Sequence, residues 1–478
     1  MKNCIVIICL LIWQYSFSQT TGYNFQKTLS IKEVLEDIDY TEKYLCKFHP
    51  DPYRYITKDS LHRFVENVKS KINKPLTEQQ VRFYIKQIIA QIGCGHSEAA
   101  ASKAYTKAVK KVSKPTLPLN VFITNEKRVY ILNNLSSDTT IKAGDEILSI
   151  NNKPIDKILD TIFSIYTSDG YNTTYKQQGI KFDWFKYYYS FCFGYNQSYL
   201  VKTTNNKGIT SSSELLCGSS LKDTIILPPK EKKNYLKKTK TCKYYIDSTT
   251  NNLAVIDIDA FKGMGWRRFF RKSFKDIKRK HVTNLVIDLR DNGGGRIGYG
   301  LYALSYLLRK PVVLPFDRPA NLMALNPRFK MDIFSRITPL AFCTMMPQWI
   351  VKGRLRHYFI RLPKHRLAYK GNITVLTNGK SFSMSGVVAS YLKYKANATI
   401  IGEETGGNVA GSNAVISGNV VLPNSKIRVI IPVYHIYHKV DATNNGRGVM
   451  PDYPTQYTKE DYLNGIDIDL KKAKDLVK

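Results

Sequence analysis

The 478-residue chain carries 72 Lys and Arg against 38 Asp and Glu, a formal charge of +34, with 43% apolar residues. That length exceeds one ordinary core and implies two or three domains, and the apolar share excludes a disordered chain. The positive field attracts anions of any kind, but no zinc knuckle, basic zipper or other nucleic-acid motif accompanies it, so no specific nucleic-acid partner is expected.

The N-terminus bears on compartment. Lys2 precedes an apolar run from Cys4 to Trp13 and the polar stretch "QYSFSQ", with Ser16 and Ser18 at small-residue positions. This pattern predicts a signal peptide (residues 1–18) cut after Ser18 and an exported protein, whether periplasmic, envelope-associated or secreted. The alternative, an N-terminal anchor, asks a run too short to span a bilayer comfortably to do so. Ile8 before Cys9 argues against lipidation. The remaining cysteines, Cys46, Cys94, Cys192, Cys217, Cys242 and Cys343, have no metal-ligand spacing.

Residues 19–110 read as a helical domain. Ser30 and Glu33 form a capping box ahead of Val34, Leu35, Ile38 and Leu45; Leu61, Phe64, Val65, Val68 and Ile72 make a second stripe. Thr77 and Gln80 cap a third helix carrying Val81, Ile85, Ile88 and Ile92, which Gly93 ends. The following "GCGHS" puts His96 in an exposed turn, where a lone histidine is by itself an ordinary polar residue.

From Pro115 the pattern turns to strands, "LNVFI" and "RVYIL". Then "IKAGDEILSINNKPI" gives a turn at Gly144–Asp145, a short strand, a second turn and a helix from Asp156 to Phe163. Over residues 111–168 this phrase resembles a PDZ domain, whose groove takes up an extended peptide by strand addition. Gly144 and Asp145 are its candidate substrate-binding residues. The other reading is a small β-domain without a ligand. Residues 169–240 read as a β-rich connecting region with a linker at "PPKEKK".

Residues 241–460 form the third region, and 461–478 a terminal helix. "NLAVIDIDAF" is a strand. A helix from Trp266 to Lys280 sets Trp266, Phe270, Phe274 and Ile277 on one side and Arg267, Arg268, Arg271, Lys272, Lys275 and Lys278 elsewhere. It reads either as a core helix with a solvated face or as a membrane-surface helix. A strand–loop–helix unit then occurs twice, "NLVIDL"–"RDNGGG"–"IGYGLYALSYLL" and "NITVLT"–"NGKSFSMS"–"GVVASYLKY", and begins again with "ATIIGEETGG". Such units build sites at the carboxyl ends of strands. Residues 311–366 interrupt the repeat as an insertion that could serve as a lid.

Acyl transfer needs a nucleophile, a base and oxyanion donors. A serine at the start of the Met384–Tyr394 helix sits at its positive end, and "DNGGG" offers unshielded backbone N–H groups. In order after a PDZ-like segment, "VIDLRDNGGG", "LTNGKSFSMSG", "IIGEETGG" and "GRGVMPD" resemble the C-terminal processing peptidase and tricorn protease family of serine peptidases. The resemblance implies an α/β multidomain protein: an N-terminal helical domain, a PDZ-like β domain and a ClpP/crotonase-like core of ββα units. It makes Ser383 the nucleophile and gives Ser381 and Ser385 to capping and loop bonding. The oxyanion hole would use the amide of Met384 and one from Gly293, Gly294 or Gly295. The family's lysine base falls on Asn408, which cannot take a proton. The histidine-using tricorn-like branch matches His96 instead. Its acidic residue falls nearest Asn445, and Asp441 is the substitute. The expected partner is a peptide or protein substrate, with no metal or cofactor needed, and association to an anionic envelope surface is a further expectation. Because a retinoid-carrying protein of the eye resembles the same fold, the alternative is an inactive member that binds peptides or lipids.

Overall fold

The structure is a computed structural model that describes residues 22–112, 114–217, 233–247, 249–250, 252–317, 328–330, 357–362, 365–442 and 446–477. The expected signal peptide, Asn445 and most of the 311–366 insertion lie outside the described residues.

Both capping boxes form. The Ser30 hydroxyl accepts from Glu33 N–H while the Glu33 carboxylate takes Ser30 N–H at 2.7 Å, starting α1 (Ile31–Phe48). Thr57 caps α2 (Lys58–Lys69), and Thr77 with Gln80 starts α3 (Glu78–Gln91). Each such cap is worth about 1 kcal/mol. Val34, Ile38, Leu45, Val65, Ile85 and Ile89 are buried, and the cluster they form continues without a break into Ile287, Val388 and Val433. The helical region therefore shares its core with the third region. A short strand, Glu98–Ala100, adds to that region's second sheet by pairing Val429 with Ala99.

The middle region is a separate cluster. Strands β1 (Leu119–Ile123), β2 (Val129–Asn134), β3 (Glu146–Ile150), β4 (Ser198–Thr204) and β5 (Thr210–Leu216) lie in that order in one antiparallel sheet. Helices α4 (Ile155–Ile165) and α5 (Asp183–Phe193) cover it through Ile158, Leu159, Ile162, Phe185 and Tyr189. The expected boundary at residue 168 is therefore not a structural one. Tyr199, Val201 and Thr203 alternate with exposed neighbours, so β4 buries one face and completes the sheet.

The third region holds a seven-stranded sheet. Strands β6 (Cys242–Ile246), β7 (Leu253–Ile258), β8 (Asn284–Asp288), β10 (Asn372–Thr377) and β11 (Thr399–Gly402) lie between edge pieces Lys237–Lys238 and Tyr453–Pro454. From β7 onward the pairing is parallel. Helices α6 (Trp266–Arg279), α7 (Ile297–Leu307) and α8 (Met384–Ala396) connect the strands, and α9 (Ile468–Asp475) follows. Asp288 on β8 stands opposite Leu376 on β10, so the glycine loop and the serine loop leave the sheet side by side. A second sheet contains β9 (Val312–Asp317), β12 (Gly411–Val421) and β13 (Arg428–Tyr437). The described parts of the insertion, β9, Phe329–Lys330 and His357–Leu362, are strands of this sheet.

Candidate active site

The serine loop is fixed from both flanks. The buried Ser381 hydroxyl donates to Leu289 C=O at 2.8 Å and accepts from Asn378 N–H at 3.0 Å. Phe382 N–H donates to Asn292 C=O, and Gly406 N–H donates to Ser381 C=O. Between these anchors Ser383 is held at φ 55°, ψ −121°. A side chain in that region costs of order 1–3 kcal/mol and persists only where its surroundings over-determine it. Ser383 occupies the N-cap position of α8, yet its side chain makes no capping bond. Its Oγ lies 3.1 Å from His96 Nε2 instead. Ser385 is buried, and its hydroxyl has no partner among the described residues, so the capping expected of it is not made.

His96 comes from 287 residues away in the chain. It sits in the turn after α3, half-buried rather than exposed, because its ring stacks on Phe382 at 4.6 Å, and Phe382 stacks on Tyr175 at 4.4 Å. Burial lowers its pKa to about 4, so the ring is neutral near pH 7. With Nε2 accepting from Ser383, the neutral ring's proton sits on Nδ1, which is buried and without a hydrogen-bond partner among the described residues.

The acid expected at Asp441 is not there. The Asp441 side chain is 95% exposed and paired with Lys395 at 3.3 Å, and it makes no hydrogen bond to His96 Nδ1. The carboxylate that does serve the histidine turn is Asp169, which sequence reasoning passed over. It is buried, takes Gly95 N–H on Oδ1 at 2.8 Å and Asn408 N–H on Oδ2 at 3.4 Å. Burial pushes its pKa up to about 6 against those two donors. Gly170 continues the strap: its N–H donates to Gly93 C=O at 2.9 Å. At φ 55° it faces Gly446 so closely that a Cβ would lie 2.4 Å from the Gly446 oxygen. The one local signal that could have led here, the "DG" turn in "SDGYN", marks a turn and no chemistry.

Asn408, at the position where the resemblance places a lysine, is a loop fastener. Its amide donates to Tyr55 Oη at 2.7 Å and accepts from Ala410 N–H at 2.7 Å. Asp452 accepts from Ile400 N–H and Lys393, which holds the turn after Pro451.

The glycine loop meets the serine directly. A Cβ on Gly294, at φ 99°, would lie 2.7 Å from Ser383 Cβ and 2.9 Å from Met384 N. Gly294's own N–H donates to Asn292 Oδ1 at 2.9 Å, which withdraws it from the expected oxyanion donors. The N–H groups of Gly293, Gly295 and Met384 have no acceptor among the described residues. Gly144 and Asp145 do not belong to this site. They sit in the turn before β3, where Gly144 N–H donates to Ile131 C=O and Asp145 accepts from Lys142 N–H. Those bonds spend their polar groups within the sheet. No cluster of residues able to hold a metal occurs among the described residues.

A strained serine at a helix start, in contact with an imidazole and beside free backbone donors, is the arrangement of a serine hydrolase. Residues 252–455 match the family model described as peptidase family S41, which makes this region that of a serine peptidase, a hydrolase of peptide bonds. Among solved structures the fold is similar to mature CPAF complexed with lactacystin (TM-score 0.67, 17% identity, 94% of this chain and 98% of that one). It is also similar to mature CPAF alone (TM-score 0.63, 16% identity, 94% and 97%). No curated protein sequence matches the chain.

Proposed function

We propose that this serine peptidase is exported and cleaves peptide bonds with Ser383 as nucleophile and His96 as general base. The observation that carries the reading is the 3.1 Å contact between Ser383 Oγ and His96 Nε2, with the serine unavailable for capping. The neutral imidazole takes the serine proton as Oγ attacks the scissile carbonyl, then returns it to the leaving amine. Backbone N–H groups of Met384 and Gly295 or Gly293 receive the oxyanion. Asp169 acts as a positioning residue: it fastens the histidine turn to the loop carrying Asn408, and the Tyr175–Phe382–His96 stack fixes the ring plane. The middle region is a PDZ-like module by its "IKAGDEILSINNKPI" phrase, taking up an extended peptide by strand addition.

The test is labelling by a fluorophosphonate probe. Wild type should label and hydrolyse an unfolded protein substrate, and Ser383→Ala should do neither; a chain that never labels is the inactive, ligand-binding alternative. Export is tested by N-terminal sequencing of protein recovered outside the cytoplasm, expected to begin at Gln19.

A further inference from the structure

Helix α6 divides its sequence cleanly. Phe269, Phe270, Phe274 and Ile277 are buried, and Phe270 and Phe274 pack against Tyr306. At 100° per residue, Arg267, Arg268, Arg271, Lys272, Lys275 and Lys278 fall on the opposite arc, and all six are exposed. None is paired with a carboxylate among the described residues. The lone acid of the helix, Asp276, is held by Arg279, Lys280 and the Tyr244 hydroxyl. The apolar side is occupied by the core, so this helix cannot lie down in a bilayer on its greasy face. What it offers outward is charge.

A second observation adjoins it. Immediately before α6, Gly263-Met264-Gly265 forms a tip on which Met264 is 93% exposed, flanked by exposed Lys262 and by Trp266, which stacks on Tyr299. A thioether held out between cations has nothing to gain from a soluble polyanion. It gains from an acyl layer beneath anionic headgroups. We propose that the α6 arc and the Met264 tip form a docking surface for an anionic lipid bilayer. The tip adjoins the glycine loop, since Phe261 N–H donates to Gly294 C=O and Arg296 N–H to Phe261 C=O. Docking thus holds the glycine loop near the lipid surface, where membrane-tethered proteins are at hand as substrates. This last step rests on the peptidase reading; the docking does not.

The experiment is co-sedimentation of the full chain with phosphatidylcholine vesicles, with and without phosphatidylglycerol, at low and high salt. Wild type should bind only the anionic vesicles, and less in high salt. Replacing Arg268, Lys272, Lys275 and Lys278 by Gln should lower partitioning roughly 100- to 1000-fold, at about a kcal/mol-scale contribution per cation. Replacing Lys103, Lys107, Lys110 and Lys111, an equal charge elsewhere, should leave it near wild type. Met264→Ser should remove the binding that survives high salt. Equal loss in both charge variants overturns the proposal, as does retention on heparin without vesicle binding, which would mark a polyanion site. Ser383→Ala should bind vesicles as wild type does, so docking and catalysis can fail separately.

Discussion

The two halves of the site are held by different means. Ser383 is placed within one sheet: it follows a parallel strand, starts a helix, and sits in a loop tied through Ser381 and Phe382 to Leu289 and Asn292 of the neighbouring strand–loop–helix unit. His96 is placed by groups remote in sequence, Asp169 beneath its turn and Phe382 against its ring. Adjacent strand–loop–helix units of one sheet carry the proposed nucleophile, and packing between separate regions of the chain carries the proposed base. The serine is accordingly strained and rigid, whereas the histidine depends on fasteners that can be loosened one at a time.

The strongest break in the comparison is Ser383→Ala. It should abolish probe labelling and hydrolysis, with stability changed by about 0.5 kcal/mol or less. Ser381→Ala, which removes two buried hydrogen bonds, should do the reverse, destabilising by roughly 1–3 kcal/mol in a denaturant titration while leaving measurable turnover. Next is His96→Gln, which should remove most of the rate. In wild type, catalytic efficiency should rise with pH as the imidazole loses its proton near 4 and be level by neutrality, because burial holds that pKa down. A profile whose step sits near 6.5 in wild type and persists in the variant would exclude His96 as the base. Third, Gly294→Ala drives a methyl into Ser383 and should cost about 100- to 1000-fold in turnover, comparable to losing an oxyanion donor. Smallest is Asp169→Asn, which keeps an acceptor for Gly95 N–H but removes the charge. It should lower kcat about tenfold with KM little changed. It should also strip from the pH profile any step near 6, where burial has moved the carboxyl, leaving the histidine step alone. Unchanged kcat and profile would make Asp169 a fold residue only.

How much was legible in the sequence follows the same division. The two capping boxes, the repeated strand–loop–helix unit and the serine run were readable because each is written in contiguous residues. The histidine was readable only through the family resemblance, since nothing local in "GCGHS" distinguishes it. Asp169 was not readable, because its role exists only once residues 95, 169 and 408 meet. Asp441 misled because nearness in sequence to "GRGVMPD" was taken for nearness to the imidazole. The end of the middle sheet was misjudged because β4 pairs with β3 across three intervening helices.

The separation of 287 positions between Ser383 and His96 also bears on when the chain becomes dangerous to its surroundings. Closing so long a loop is among the slower and costlier steps of folding. An emerging or unfolded chain holds a serine with no base and glycines with no geometry. Hydrolytic competence therefore arrives with tertiary completion, and the topology itself keeps the unfinished chain inert.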